Sequence, residues 1–387
     1  MTDPLDWLDD ALDDLNRCDL RRTPIVRTSR PSADILVSHG NTLVNFGSND
    51  YLGLAPLIGL RIAESIKRVG WGAGASPLVT GKTASHEALE RELAAWKRTE
   101  AAILFSSGFA ANAGTIPALV GRGDVIFSDA KNHASIIDGC RLSAAEVQVF
   151  KHRDMSDLAA RLAASKKQGR SLIVTDTVFS MDGDLASLVQ VAELAEKHTA
   201  MLMVDEAHAA GVFGERGSGL CEKMGIEERV HIRVGTLSKA LGGIGGFVAG
   251  SQKLIDWLMH RARSQLFSTA LPEVCAIASL EALRYVHEEP NRRQSLLATA
   301  KGLRERLISL KWNTGNSESQ IVPLLCGEPA RAVELSNRLR ERGFFVPAIR
   351  PPSVPEGESL LRISLTAVHS EEQIARLCAA LCAGRGE

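Results

Sequence analysis

Val230-His231-Ile232-Arg233-Val234-Gly235-Thr236-Leu237-Ser238-Lys239-Ala240-Leu241-Gly242-Gly243 is the stretch that decides the fold. An alternating apolar run of strand length passes into a polar turn, and then into small residues and glycines. That order predicts a strand presenting Lys239 at its carboxyl end, where open α/β sheets hold their ligands. The glycines predict room for a flat ligand to approach the backbone. Lysine also forms Schiff bases with carbonyl compounds when its amine is neutral. Taken alone, the same lysine reads as a solvated loop residue, as most lysines are.

Two upstream stretches change that reading. Met201 to His208, Met-Leu-Met-Val-Asp-Glu-Ala-His, is a buried-strand pattern ending in acids and a histidine. Ser171 to Ser180, Ser-Leu-Ile-Val-Thr-Asp-Thr-Val-Phe-Ser, is the strand candidate before it. Ser180, then Asp205 and His208, then Thr236 and Lys239 therefore fall at successive strand ends, which a parallel sheet gathers on one edge.

The rest of the chain supplies supporting pieces. Leu5, Leu8, Leu12 and Leu15 among acids predict an amphipathic helix over 4–20. Arg21, Arg22, Arg27 and Arg30 follow; such clusters are usually solvated, but two arginines can hold an anion. Ile35 to Phe46 reads as a hairpin turning at Ser38-His39-Gly40-Asn41. Ser107-Gly108-Phe109 follows the strand candidate Ala101 to Phe105 and opens a helix, whose N–H groups favour a phosphate. The competing reading there is an ordinary strand-to-helix turn. His133 follows the strand candidate 124–128, a position more often structural than catalytic. Strands and helices alternate through about residue 250, as a doubly wound α/β domain requires. A helical stretch from Glu273 to Leu310, broken near Pro290, leads to a small α+β region with strands at 320–325, 344–349 and 360–365. Three prolines make Ile349-Arg350-Pro351-Pro352-Ser353-Val354-Pro355 a stiff loop.

Composition narrows the function classes. The 387 residues are 45% hydrophobic with a formal net charge of −1, so no global basic field recruits nucleic acid. Seven scattered cysteines without a C-x-x-C pair argue against disulfide or metal frameworks. The acidic amino end has no secretory apolar core, and no apolar run reaches the roughly 20 residues of a bilayer span. A cytoplasmic protein, with neither membrane nor metal as a partner, is expected. Gly81-Lys82-Thr83 imitates a phosphate-binding loop, but Ser76 stands where that loop needs a glycine.

Assembled, these residues resemble the pyridoxal-phosphate-dependent α-oxoamine synthases of aminotransferase-like fold type I. The resemblance runs from about Leu20 to His369. It rests on Asn49-Asp50-Tyr51-Leu52-Gly53-Leu54, Ser107 to Asn112, Val178 to Asp184, Val204 to His208, Thr236 to Lys239 and Ile349 to Pro352. It implies a large doubly wound, mostly parallel sheet domain (49–288) preceded by a helix-and-hairpin segment (1–48) and followed by a small α+β domain (289–387). The Arg-Pro-Pro loop and Leu365 to His369 point to the branch that joins L-alanine to a pimeloyl thioester of CoA or acyl carrier protein. Ser353 in place of threonine, Pro77, and Leu360 in place of arginine depart from that branch. Glycine with acetyl-CoA is the alternative within the family; an ATPase-like nucleotide binder is the alternative outside it.

By the same resemblance, Lys239 holds pyridoxal phosphate, Asp205 faces its ring nitrogen, His208 and Ser180 face its phenolic oxygen, and His133 covers its ring. Ser107, Gly108, Phe109 and Thr236 take the phosphate, joined by Ser268 or Thr269 from a second subunit of a homodimer that shares its active sites. Arg362 receives the amino-acid carboxylate. Arg21, Asn49, Arg350 and Ser353 complete the substrate contacts.

Overall fold

The computed structural model describes residues 3–37, 40–165 and 169–383. It divides into two compact units, one of Met1–Asn49, Met181–Asp184 and Leu296–Glu387, the other of Asp50–Ser180 and Leu185–Ser295.

In the first unit, β1 (Asp34–Leu36) and β2 (Thr42–Asn45) pair antiparallel, Ile35 opposite Leu43. This is the expected hairpin; Ser38 and His39 of its turn lie outside the described residues. The amphipathic helix is present over Trp7–Arg17, yet none of its residues is buried.

The second unit carries β3 (Ala101–Phe105), β4 (Val125–Asp129), β5 (Glu146–Phe150), β6 (Ser171–Asp176), β7 (Met201–Asp205), β8 (Ile232–Thr236) and β9 (Gly246–Gly250). They form one sheet in the order β3-β9-β8-β7-β6-β4-β5. β4 to β8 run parallel to one another, whereas β9 runs antiparallel to both β3 and β8. The central strands are continuous apolar runs because helices cover them. Ile126, Leu172, Val174, Met203, Val234 and Val248 share one core with Ile116 and Leu258 from flanking helices. Each such side chain contributes about 1.5–3 kcal/mol relative to exposure.

The expected alternation of strand and helix stops at β7. Between β7 and β8 the described helices are only Leu220–Lys223 and the single turn Glu227–Arg229. β8 then returns directly as β9. The return is close-packed: a side chain at Gly235 would collide with the Phe247 ring. A second departure concerns charge. Lys97 and Glu206, 0% and 1% exposed, pair at 2.7 Å. Glu206 also accepts the Cys221 N–H at 3.0 Å. Arg233, inside β8, donates to Lys97 O at 2.5 Å and faces Glu227 at 3.6 Å.

The first unit closes with β10 (Ile321–Gly327), β11 (Phe344–Phe345), β12 (Ala348–Ile349) and β13 (Ser359–Ser364). The strand expected over 344–349 is split. Its first half pairs parallel with β2, and its second half pairs antiparallel with β13. Pro347, which has no N–H to give a ladder, stands at the break.

Candidate active site

Strand register builds the centre. Asp176 ends β6 and lies opposite Asp205, the last residue of β7, which in turn lies opposite Val234 of β8. Both carboxyls are buried. Asp205 accepts from Asn112 Nδ2 at 2.6 Å and from Ala207 N–H at 2.7 Å. Asp176 accepts the His133 N–H at 2.7 Å. Burial pushes the Asp176 carboxyl well above the ordinary range, and the Asp205 charge adds to that push. Like charges this close cannot both ionise cheaply, so Asp176 holds its proton.

Lys239 comes from the loop joining β8 to β9. Its Nζ lies 2.7 Å from His208 Nε2, and His208 Nδ1 lies 2.6 Å from the Tyr51 hydroxyl. The loop is pinned by Leu237 N–H to Gly245 O and by Gly242 N–H to Lys239 O. Gly242 sits at φ +64°, where a Cβ would come within 2.5 Å of Ala55 N. Gly243 likewise faces Leu237 O. The glycines therefore serve the loop's own packing.

His133 caps the helix Ala134–Ser143, its Nδ1 2.8 Å from Ser135 Oγ. Burial lowers its ring below the ordinary imidazole range, opposed by Asp205 and helped by Lys239. Those two influences place His133, Asp205 and Lys239 in one electrostatic neighbourhood.

The helix Gly108–Leu119 starts against the same sheet edge. Ser107 caps it by accepting the Ala110 N–H, which leaves the Gly108 and Phe109 N–H groups without a partner inside the helix. A Cβ on Gly246 would collide with Ser107 O, and one on Gly108 would lie 3.3 Å from Thr236 Cβ. Bare backbone at these positions lets the helix start approach β8 and β9. Thr236 Oγ1 donates to Gly245 O at 2.9 Å and lies 2.8 Å from the exposed Ser238 hydroxyl. Ser180 lies on the turn beyond β6. Ser268 and Thr269 line a cavity with Ser106, Gln265, His86 and Lys82.

The remaining predicted residues belong to the first unit. Arg362, buried in β13, directs Nη1 and Nη2 at Asn49 Oδ1, at 3.2 and 3.3 Å. Arg350 donates to the carbonyls of Asp19 and Arg21, and Arg22 donates to Pro351 O at 2.9 Å. Arg350 thus ties the chain's start to the proline loop. Arg21 and Ser353 are exposed.

Sequence reasoning missed Asp176, Tyr51 and the role of Asn112. Asp176 carried a signal, since it stands where β6 ends, but the strand was read on to Ser180. Tyr51 stood in the polar turn 47–53, of the kind that lines sites, but nothing there pointed to its partner His208, 157 residues away.

Comparison with known proteins agrees with this geometry. The profile of the aminotransferase class I and II family matches residues 41–381, and the chain belongs to that family. Its fold is the type I fold of pyridoxal-phosphate-dependent transferases. An 8-amino-7-oxononanoate synthase of Anaeromyxobacter dehalogenans is 49% identical over 383 residues, covering 98% of this chain and 95% of the relative. One from Thermoanaerobacter pseudethanolicus is 45% identical over 373 residues, covering 96% and 94%. Among solved structures, a serine palmitoyltransferase of S. paucimobilis with a bound PLP–myriocin aldimine matches with TM-score 0.93 at 31% identity, covering 99% and 98%. An 8-amino-7-oxononanoate synthase of Francisella tularensis matches with TM-score 0.77 at 29% identity, covering 88% and 97%.

Proposed function

We propose that this chain condenses L-alanine with a pimeloyl thioester, releasing carbon dioxide and the thiol carrier and giving 8-amino-7-oxononanoate for biotin biosynthesis. The near-full-length identity to synthases of that compound supports the substrates. The observation that carries the chemistry is Lys239 Nζ held 2.7 Å from His208 beside the buried Asp205.

The residues present fit pyridoxal phosphate. A lysine amine, a buried carboxylate and a glycine-opened helix start converge on one sheet edge. When bound, the cofactor supplies an electron sink that acidifies the amino acid's Cα–H. With the cofactor bound, Asp205 would stand against the ring nitrogen, His133 over the ring, and His208 and Ser180 by the phenolic oxygen. Ser107, Gly108, Phe109 and Thr236 would hold the phosphate, with Ser268 and Thr269 contributed by a second subunit. Lys239 Nζ removes the Cα proton and returns it after carbon dioxide leaves. Arg362, aligned by Asn49, takes the amino-acid carboxylate as a fork. Arg21, Arg350 and Ser353 serve the acyl substrate.

A homodimer is supported by the apolar surface beside Ser268 and Thr269, where Phe267 is 72% exposed. A cytoplasmic location is supported by seven free cysteines. Among the described residues no helix is long and apolar enough to cross a membrane.

The test is the visible spectrum of the purified protein, with L-alanine and then pimeloyl-CoA added. A yellow band that shifts with alanine, followed by thiol release, is the expected result. A response to glycine and acetyl-CoA instead would move the enzyme to the alternative acyl transfer. A colourless protein that pyridoxal phosphate cannot reconstitute would sink the reading.

A further inference from the structure

We propose that Tyr51 is a positioning residue that sets where the proton sits between His208 and Lys239, and so sets the pH at which the Lys239 amine becomes reactive. This rests on Lys239 being the cofactor lysine. Tyr51 is 0% exposed, and its hydroxyl lies 2.6 Å from His208 Nδ1. His208 Nε2 lies 2.7 Å from Lys239 Nζ. The three side chains form one line of hydrogen bonds.

A neutral imidazole carries one proton, so its two nitrogens cannot both accept or both donate. If Lys239 is protonated it donates to Nε2; Nδ1 then bears the proton and must donate to the Tyr51 oxygen. If Lys239 is neutral it accepts from Nε2–H, and Nδ1 accepts from the Tyr51 O–H. A phenol is a good donor and a poor acceptor, because its lone pair is delocalised into the ring. The hydroxyl therefore favours the second arrangement, in which the amine is neutral and nucleophilic. The short distance to Nδ1 fits a phenol that donates.

The backbone holds this line rigidly. Asp50, beside Tyr51, accepts from Leu54 and Ala55 N–H at 2.9 and 3.0 Å. Gly242, three residues after Lys239, packs on the same Ala55. Other charged groups face the line: Asp205 from β7, Asp176 from β6, His133 from the helix it caps, and Arg292, which acts on Asp50. Removing the Tyr51 hydroxyl leaves all of them in place.

The experiment uses full-length protein stripped of cofactor. Pyridoxal phosphate is added across a pH series, trapped with borohydride, and its attachment rate at Lys239 is read by peptide mass spectrometry. In Tyr51→Phe the half-maximal pH should rise by about one unit, roughly tenfold in reactive amine below it. In a His208→Phe background the same change should shift nothing further. Replacing tyrosine with 3-fluorotyrosine touches only Tyr51 and Tyr285, since the chain has two tyrosines. Its more acidic phenol should move the half-maximal pH downward without altering packing, which keeps the test usable if Tyr51→Phe folds poorly. An unmoved half-maximal pH in both proteins, even with labelling uniformly reduced, overturns the proposal. A wild type that never labels at Lys239 overturns the cofactor assignment along with it.

Discussion

Two groups of buried charges meet at the end of β7 and are built on opposite terms. At the carboxyl edge, Asp176 and Asp205 lie side by side, held by neutral donors from Asn112, Ala207 and His133. One residue further along the chain, Glu206 meets Lys97 directly at 2.7 Å, with Arg233 and Glu227 nearby. The second group is saturated: each charge finds its opposite inside the protein. The first sets two buried carboxyls against each other, with Lys239 as the cation that acts on them, and burial with like charge pushes the Asp176 carboxyl upward. Asp205 at the end of β7 and Glu206 just past it thus fall in two groups that differ in whether charge is cancelled.

The largest effect should come from removing the one cation of the first group. Lys239→Ala is expected to lose at least about a thousandfold in kcat, and multiple turnover with it, while the urea midpoint changes little. If turnover survives, the edge is not the reactive group and the contrast collapses. In the saturated group the outcome should invert. Lys97→Met leaves Glu206 buried without its partner, a loss of about 3–5 kcal/mol by urea unfolding. The double variant Lys97→Met with Glu206→Leu should recover most of it; failure to recover would mean that packing, not charge, is at stake. Gly246→Ala should weaken pyridoxal phosphate binding at least about tenfold in fluorescence titration, as the added methyl forces Ser107 and the helix start away, a strain of about 1–3 kcal/mol. The smallest effect concerns the Asp176 proton. Because the folded Asp176 carboxyl titrates above its unfolded value of 3.8, stability from this group is present below that pH and is lost as pH rises toward the folded value. Asp176→Asn, already uncharged, should flatten that decline and be neutral or stabilising by up to about 1 kcal/mol at pH 7 in denaturant unfolding.

Much of the reactive edge was legible because it follows strand periodicity. Asp205, His208 and Lys239 each stand just beyond an apolar run, and parallel strands bring such positions together. The saturated group was not legible. Lys97 ends a helix and Arg233 interrupts a strand; composition alone assigns such residues to solvent, and only the tertiary partners overturn that. Tyr51 was hidden for the same reason. The split of 344–349 was foreseeable from Pro347, whereas the pairing of Phe344 with Val44 depends on a contact across 300 residues of chain.

The alternation of side chains along β7 has a consequence for how this gene can change. Asp205, the last residue of β7, and Glu206, just past it, meet different partners, Asn112 and Lys97. Deleting any one residue from Met201–Val204 would preserve every charge in the composition yet bring Glu206 to the place of Asp205 and Ala207 to that of Glu206. The carboxyl edge would receive the longer acid, and Lys97 would face Ala207 in place of its carboxylate partner. Substitutions here are a matter of degree, but length is a matter of parity, and odd changes in β7 are the ones the protein cannot absorb.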